Sequence, residues 1–208
     1  MTRIILVRHG QTEWNRVERF RGWADLDLNE LGKRQAEAVA EKVAQWSVAA
    51  VYSSPLRRAV TTARILGKRL GLEVELLPGL IDINYGEWQG LSPEEAVAKD
   101  GSLYALWLKS PHLVRFPGGE SLKQVRDRVV AVVNDLIADH SEETITLVSH
   151  KVVCQLLLLH FLDLDNSHFW QVTQDVSAIN LFEVNDGRPV ALLLNDTCHL
   201  KQIKERHI

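Results

Sequence analysis

Residues 4–10 read IILVRHG. Four aliphatic residues in a row, Ile4, Ile5, Leu6 and Val7, give way at once to Arg8, His9 and Gly10, the pattern of a short strand covered on both faces. Such strands belong to parallel sheets flanked by helices, and open sheets of that kind bind ligands beyond the carboxyl ends of their strands. Arg8 and His9 stand in that position. The pattern returns at residues 145–150, ITLVSH, which puts Ser149 and His150 in the same relation to a second buried strand. His9 and His150, far apart in the chain, are therefore expected to meet along one sheet edge.

Working outward, similar apolar runs at residues 49–52, 74–77, 178–182 and 190–194 complete a set of six strand candidates. Leu31, Val39, Val43 and Trp46 fall near one face of a helix that Asn29 can cap. Leu122, Val125, Val129, Val132 and Leu136 recur at spacings of three and four, and Ser121 with Gln124 forms a capping-box signature at the entry. Further helical stretches follow Pro55 and His150. This alternation predicts an α/β protein, a three-layer α/β/α sandwich with a mostly parallel central sheet. Asn185, Asp186 and Gly187 alone join the last two strands, which predicts a hairpin at one edge. Residues 92–119 carry two short helical patterns and then a Pro- and Gly-rich stretch, read as a small helical cap over the sheet. Without a composition shift or repeat, residues 1–208 are expected to form a single domain, with the cap at about 91–119 as an insertion.

Hydrophobic residues make up 46% of the chain and charged residues 25%, which excludes a mainly disordered protein. A formal net charge of -3 provides no basic field for nucleic acid. The apolar run at 152–159 is too short to cross a bilayer. Residues 1–7 are too short for the apolar stretch of a signal peptide and lack a cleavage site. A cytoplasmic protein with neither nucleic-acid nor membrane partners is expected. Cys154 and Cys198 do not make a disulfide framework. His112, His140, His160, His168, His199 and His207 show no paired ligand spacing, so no metal is expected.

Arginine beside His9 supplies a planar donor fork suited to phosphate, and Gly10 lets the backbone approach a ligand closely. Arg57 and Arg58 follow the turn Ser53, Ser54, Pro55, in the first turn of a helix. Cations there oppose the helix dipole. The pair is either solvated or a clamp that shares an anion with the helix N-terminus.

These residues lie inside longer motifs. Residues 6–15, LVRHGQTEWN, resemble the signature of the histidine phosphatase superfamily, also called the phosphoglycerate mutase-like family. Arg21, Gly22, Trp23, Asp25 and Leu28 resemble its next segment, and residues 54–59 with Thr62 and Ala63 its second arginine motif. YGEWQG at 85–90, FPGGES at 116–121 and VSH at 148–150 follow in order. The resemblance implies a phosphoglycerate mutase-like fold and a reaction without metal or other cofactor. It implies that His9 is phosphorylated on a ring nitrogen, with Arg8, Asn15, Arg58 and His150 around the phosphate. Arg21 is then either a further cation at that site or solvent-facing. The family's proton donor is a glutamate five residues before the Glu of the GEW motif. Here that position is Asp82, shorter by one methylene and preferred to Glu87 or Glu13 as the acid. A transferred phosphoryl group spreads charge over its oxygens, which preplaced cations stabilise. Arg8 and Arg58 are expected to hold His9 neutral, with its other nitrogen donating to a backbone carbonyl.

Three activities fit the resemblance: a phosphatase, a primer-dependent phosphoglycerate mutase, and a non-catalytic phospholigand-binding protein. Glycolytic mutases of the family carry a larger insertion after the GEW-like segment and more basic residues there. Here Lys99, Lys109 and Arg115 are the only basic residues between Gly90 and Ser121. That favours a phosphomonoesterase acting on a small phosphorylated metabolite. Residues 107–121, WLKSPHLVRFPGGES, and 195–200, NDTCHL, look like metal-independent phosphoserine phosphatases of bacteria, with Tyr85 where those enzymes carry His. On that likeness Tyr85 and His199 contact the substrate. 3-Phosphoglycerate, sugar phosphates and α-ribazole phosphate are the alternative substrates. Relatives often pair through edge strands, and Trp23, Trp107 and Trp170 are candidate anchors, so a homodimer is expected.

Overall fold

The computed structural model describes residues 1–203; His207 lies outside the described residues. The chain runs β1 (Thr2–Arg8), α1 (Glu13–Arg16), α2 (Glu30–Val43), β2 (Val48–Ser53), α3 (Arg57–Leu70) and β3 (Val74–Leu76). It continues through α4 (Pro93–Lys109), α5 (Leu122–Asp139), β4 (Thr144–Ser149), α6 (Lys151–Phe161), β5 (Ile179–Asn185) and β6 (Arg188–Asp196). The strands form one sheet in the order β3-β2-β4-β1-β5-β6. β1 pairs in parallel with β4, setting Arg8 opposite Ser149, and β2 pairs in parallel with β4 and β3. β5 runs antiparallel to β1, and the hairpin to β6 closes that edge as expected.

Period-two alternation in β1 sorts the core into two layers. Ile4 and Leu6 join the cluster built by Val125, Val129 and Val133 of α5 and Val153, Leu156 and Leu157 of α6. Ile5 and Val7 join the opposite cluster, with Val39 and Val43 of α2 and Ala59, Ala63 and Leu66 of α3. The sheet is thus covered on both faces, which is why β1 runs Ile4, Ile5, Leu6 and Val7 without a polar residue.

The capping residues act as the sequence suggests. Asn29 Oδ1 accepts from Gly32 N at 2.8 Å, and Ser121 Oγ accepts from Gln124 N at 3.3 Å. Two details differ. The α2 helix ends at Val43, so Trp46 packs from the following turn, where it caps the second cluster without belonging to the helical stripe. In α5 the deep position is Val133, and Val132 turns towards Gly79. The cap is α4, kinked at Asp100, whose backbone leaves the helical region at φ -154° and ψ 87°; this divides it into the two helical patterns seen in the sequence. Trp107 from this helix is only 4% exposed and packs against Phe116, Phe169 and Trp170, which removes it as an interface anchor. Along the edge strand β6, Val190, Leu192 and Leu194 are exposed on alternate residues.

Candidate active site

Because β2, β4 and β1 are neighbours, the residues just past their carboxyl ends lie side by side. Ser54 N donates to Val148 O at 3.0 Å and His9 N to Ser149 O at 3.0 Å, so the ladder extends one residue beyond the strands and fixes these positions. The two histidine rings come within 5.2 Å, centroid to centroid. Gly10 is needed here for a reason other than ligand approach: a Cβ would collide with the Gly32 backbone at the start of α2. Its N–H donates to Thr62 Oγ1 at 3.1 Å, tying the loop after β1 to α3.

His9 Nδ1 lies 2.7 Å from Gly10 O. A carbonyl can only accept, so Nδ1 carries the proton and Nε2 keeps its lone pair. Burial holds the imidazole well below its ordinary pKa, reinforced by Arg58 and then Arg8. His9 is therefore a neutral, oriented nitrogen base.

Arg58 is fully buried, and its guanidinium is shared among four acceptors. It donates to Ala24 O and Gly22 O, each at 2.7 Å, to His150 Nδ1 at 3.2 Å and to Asp82 Oδ2 at 3.2 Å. The adverse helix-dipole position is thus offset by a carboxylate and two carbonyls, whereas Arg57 leaves the site and pairs with Asp25. Since Nδ1 of His150 accepts from Arg58, its proton sits on Nε2 and is donated to Ser54 Oγ at 2.6 Å. Burial first, then Arg58, holds His150 neutral too.

Asp82 is the buried carboxyl of the cluster. Oδ1 accepts from Ile83 N at 2.9 Å, and Oδ2 lies 3.8 Å from His150 Nδ1. Burial raises its pKa, outweighing the opposite pull of Arg58 and Arg21. The other two carboxylates considered from the sequence lie elsewhere: Glu87 is exposed and paired with Lys99, and Glu13 is exposed and paired with Arg16.

Above this cluster opens a cleft of about 290 Å³ lined by Arg8, Asn15, Arg21, Asp82 and Tyr85. Arg8 donates to Gln174 O, but its buried Nε has no partner. Burial and Arg21 push its pKa down to about 10, which leaves it charged at neutral pH. Among the described residues neither Arg8 nor Arg21 forms an ion pair with a carboxylate; Arg21 donates only to Trp14 O and Arg19 O. Asn15 Oδ1 is occupied by Thr12 N and Thr12 Oγ1, both at 2.9 Å, which leaves its amide donors for the cleft. Desolvated cations without counter-ions, next to a neutral imidazole, make a seat for an oxyanion.

The sequence pattern of the histidine phosphatase superfamily (branch 1) matches residues 4–197. The chain belongs to this superfamily. It is 37% identical over 200 residues to phosphoserine phosphatase 1 of Hydrogenobacter thermophilus, covering 96% of this chain and 95% of that one. It is 32% identical over 213 residues to the metal-independent phosphoserine phosphatase of Arabidopsis thaliana, covering 98% and 85%. The crystal structure of a phosphoserine phosphatase mutant from Entamoeba histolytica in complex with phosphoserine superimposes with a TM-score of 0.86 at 30% identity, covering 96% of this chain and 100% of that one. The phosphoglycerate mutase-like fold expected from the motifs is thereby established, and the histidine phosphatase is a phosphoric monoester hydrolase.

In this histidine phosphatase the far end of the cleft is built by residues that the motifs did not point out. Lys151, Gln155, Trp107, Phe169 and Trp170 line it. Lys151 was legible as the residue after the VSH motif, and Gln155 as a polar residue inside an otherwise apolar helical run. Tyr85 lines the cleft with its ring set edge-on against Phe20, Trp107 and Phe116, and burial raises its pKa, so it presents a neutral hydroxyl. His199 is not brought to this cleft. Its Nε2 meets Ser177 O at 3.0 Å, while Thr197, Leu200 and Lys201 line an adjoining depression that also touches Arg8 and Asn15. Among the described residues no three His, Cys, Asp or Glu side chains converge as metal ligands, and no helix is long and apolar enough to cross a membrane.

Proposed function

We propose that this protein hydrolyses a small phosphorylated metabolite, with phosphoserine as the leading substrate, by forming a phosphohistidine at His9 Nε2 without a metal. The carrying observation is the His9 Nδ1 contact to Gly10 O, which leaves Nε2 unprotonated between two buried arginines. Arg8, Arg58, Asn15 and Arg21 take the phosphoryl oxygens, and His150 borders them as a neutral ring. Asp82, whose pKa burial raises, gives a proton to the leaving alkoxide as the P–O bond breaks and the P–N bond forms. The resulting carboxylate then takes a proton from the water that attacks phosphorus, releasing phosphate and restoring His9. Asp82 is a methylene shorter than the family's glutamate, yet its side chain already lines the cleft. This supports it as the acid.

Phosphoserine is supported by the names of the relatives and by the polar residues Lys151 and Gln155 that line the cleft. A single domain is supported by cap residues Trp107 and Phe116 sharing a core cluster with the sheet. A homodimer is supported by the exposed apolar residues of edge strand β6, because an unpaired edge of that kind favours pairing with a second copy.

Rapid quenching with phosphorus-labelled substrate tests the mechanism: acid-labile, base-stable label on His9, with turnover that survives a chelator, is the expected result. A mutase assay with a bisphosphate primer runs beside it. No label on the protein during turnover overturns the covalent route, and efficient phosphoglycerate isomerisation overturns hydrolysis as the main activity.

A further inference from the structure

Beyond the phosphoryl seat, the cleft ends against the first two turns of α6. Lys151 and Gln155 are four residues apart there, so their side chains share one helix face, and both line the cleft. Gln155 is 1% exposed. Its Nε2 donates to Val172 O at 2.7 Å and to Phe169 O at 3.3 Å, and its Oε1 has no hydrogen-bond partner. The amide cannot flip to relieve that oxygen, because the two carbonyls need the NH2 group. A buried acceptor held in this way favours a ligand that brings a donor.

Lys151 is the complementary half. It is partly buried, its Nζ lies 5.9 Å from the Trp170 ring centroid, and among the described residues it forms no ion pair. Burial, then Arg8 and Arg21, lowers its pKa, as expected of a cation that lacks an anion in a positive cleft. Trp170 Nε1 donates to Trp107 O at 2.9 Å, which ties the ring beside Lys151 to the cap.

We propose that Lys151 and Gln155 form the head-group subsite, in which Lys151 receives a carboxylate and Gln155 Oε1 accepts from an ammonium or hydroxyl on the adjacent carbon. The substrate class is a phosphorylated α-amino or α-hydroxy acid. Phosphate at one end and carboxylate at the other match the two groups of unpaired cations, Arg8 with Arg21 and Lys151. A carboxamide oxygen serves either α-substituent, and it would be idle towards a head group without a donor. This subsite rests on the phosphatase reading above and deepens it.

The test compares kcat/KM for phosphoserine, O-phosphoethanolamine, which lacks the carboxylate, and 3-phosphooxypropanoate, which lacks the α-donor. In the wild type each deletion should lower kcat/KM at least about tenfold, equivalent to roughly 1.4 kcal/mol. In Lys151→Met the ratio of phosphoserine to phosphoethanolamine should collapse by about that factor, while the ratio of phosphoserine to phosphooxypropanoate persists. Gln155→Leu should show the converse. Its lost contacts to residues 169 and 172 can impair folding, in which case the substrate deletions and Lys151→Met decide the matter. An unchanged phosphoserine to phosphoethanolamine ratio in Lys151→Met, or a wild type indifferent to either deletion, overturns the subsite while leaving phosphatase chemistry in place. A wild type that hydrolyses none of the monoesters and takes no label on His9 overturns the phosphatase reading itself.

Discussion

Replacing Asp82 by asparagine separates the acid from the anion seat. The substitution is isosteric: the remaining oxygen can still accept from Ile83 N, and Arg58 keeps Gly22 O and Ala24 O at 2.7 Å. Breaking a buried ion pair outright costs about 3–5 kcal/mol. Asp82→Asn removes the carboxylate of that pair but leaves Arg58 two carbonyl acceptors, so the expected loss of stability is about 1.5–3 kcal/mol, the scale of a charge-assisted hydrogen bond. The chemical effect is much larger. An alkyl leaving group needs its proton, and loss of a positioned general acid lowers the rate about 10²- to 10⁴-fold. p-Nitrophenolate leaves without protonation, so its release should suffer far less. Water attack on the phosphohistidine still lacks its base, and labelled protein should therefore accumulate with p-nitrophenyl phosphate. At alkaline pH, where Asp82 has lost its proton in the wild type, inorganic phosphate should inhibit the variant about three- to tenfold more strongly, for want of a like charge near Arg58. Steady-state kinetics on phosphoserine and p-nitrophenyl phosphate, phosphate inhibition and quench trapping measure all of this on one preparation. Equal losses on the two substrates, with no accumulation of label, would refute Asp82 as the acid and base.

His9→Ala should abolish turnover and covalent labelling while leaving the circular dichroism spectrum unchanged, since among the described residues no other side chain depends on its ring for a hydrogen bond. The pH profile of kcat/KM should be a broad bell. Activity falls on the acid side only well below the usual imidazole range, where His9 gains a proton, and on the alkaline side above the usual carboxylate range, where Asp82 loses its own; Asp82→Asn should erase the alkaline limb, and a limb that persists there belongs to another group. Gly10→Ala, which drives a methyl into the Gly32 backbone, should lower the thermal midpoint and activity together, by the roughly 1–3 kcal/mol typical of overpacking. Sedimentation should find a dimer that Leu192→Lys dissociates, and a wild-type monomer at micromolar concentration would remove that assembly.

Much of the fold was legible because burial leaves a local record. IILV at residues 4–7 and ITLV at 145–148 state that each strand is covered on both sides, and Ser121 with Gln124 marks a helix start whatever lies around it. The ordered motifs likewise placed Arg8, His9, Arg58 and His150 at one sheet edge before any distance was known. Motif spacing also preferred Asp82 to Glu87 or Glu13 as the carboxyl that joins them, and the packing shows why. Asp82 and Glu87 are five residues apart and both acidic, but a turn in the chain buries the first against Arg58 and sends the second out to Lys99.

Other features depended on packing between distant segments. Three tryptophans looked alike as anchors, and Trp107 proved to be core because the cap folds down onto residues 116 and 169. His199 sits in a tail that resembles phosphoserine phosphatases, yet the hairpin delivers its Nε2 to Ser177 O. Gln155 reads as an ordinary polar residue in a helix, and only the carbonyls of residues 169 and 172, fourteen and seventeen positions away, fix its amide and leave the oxygen unpaired. The sequence by itself determined the sheet, its two covered faces and which residues gather at the sheet edge, because periodicity and motif spacing are properties of single elements. The tertiary structure alone decided the tautomer of His150, the burial of Asp82 against Arg58 and the unpaired oxygen of Gln155, because desolvation and hydrogen-bond partners arise only where separate elements meet.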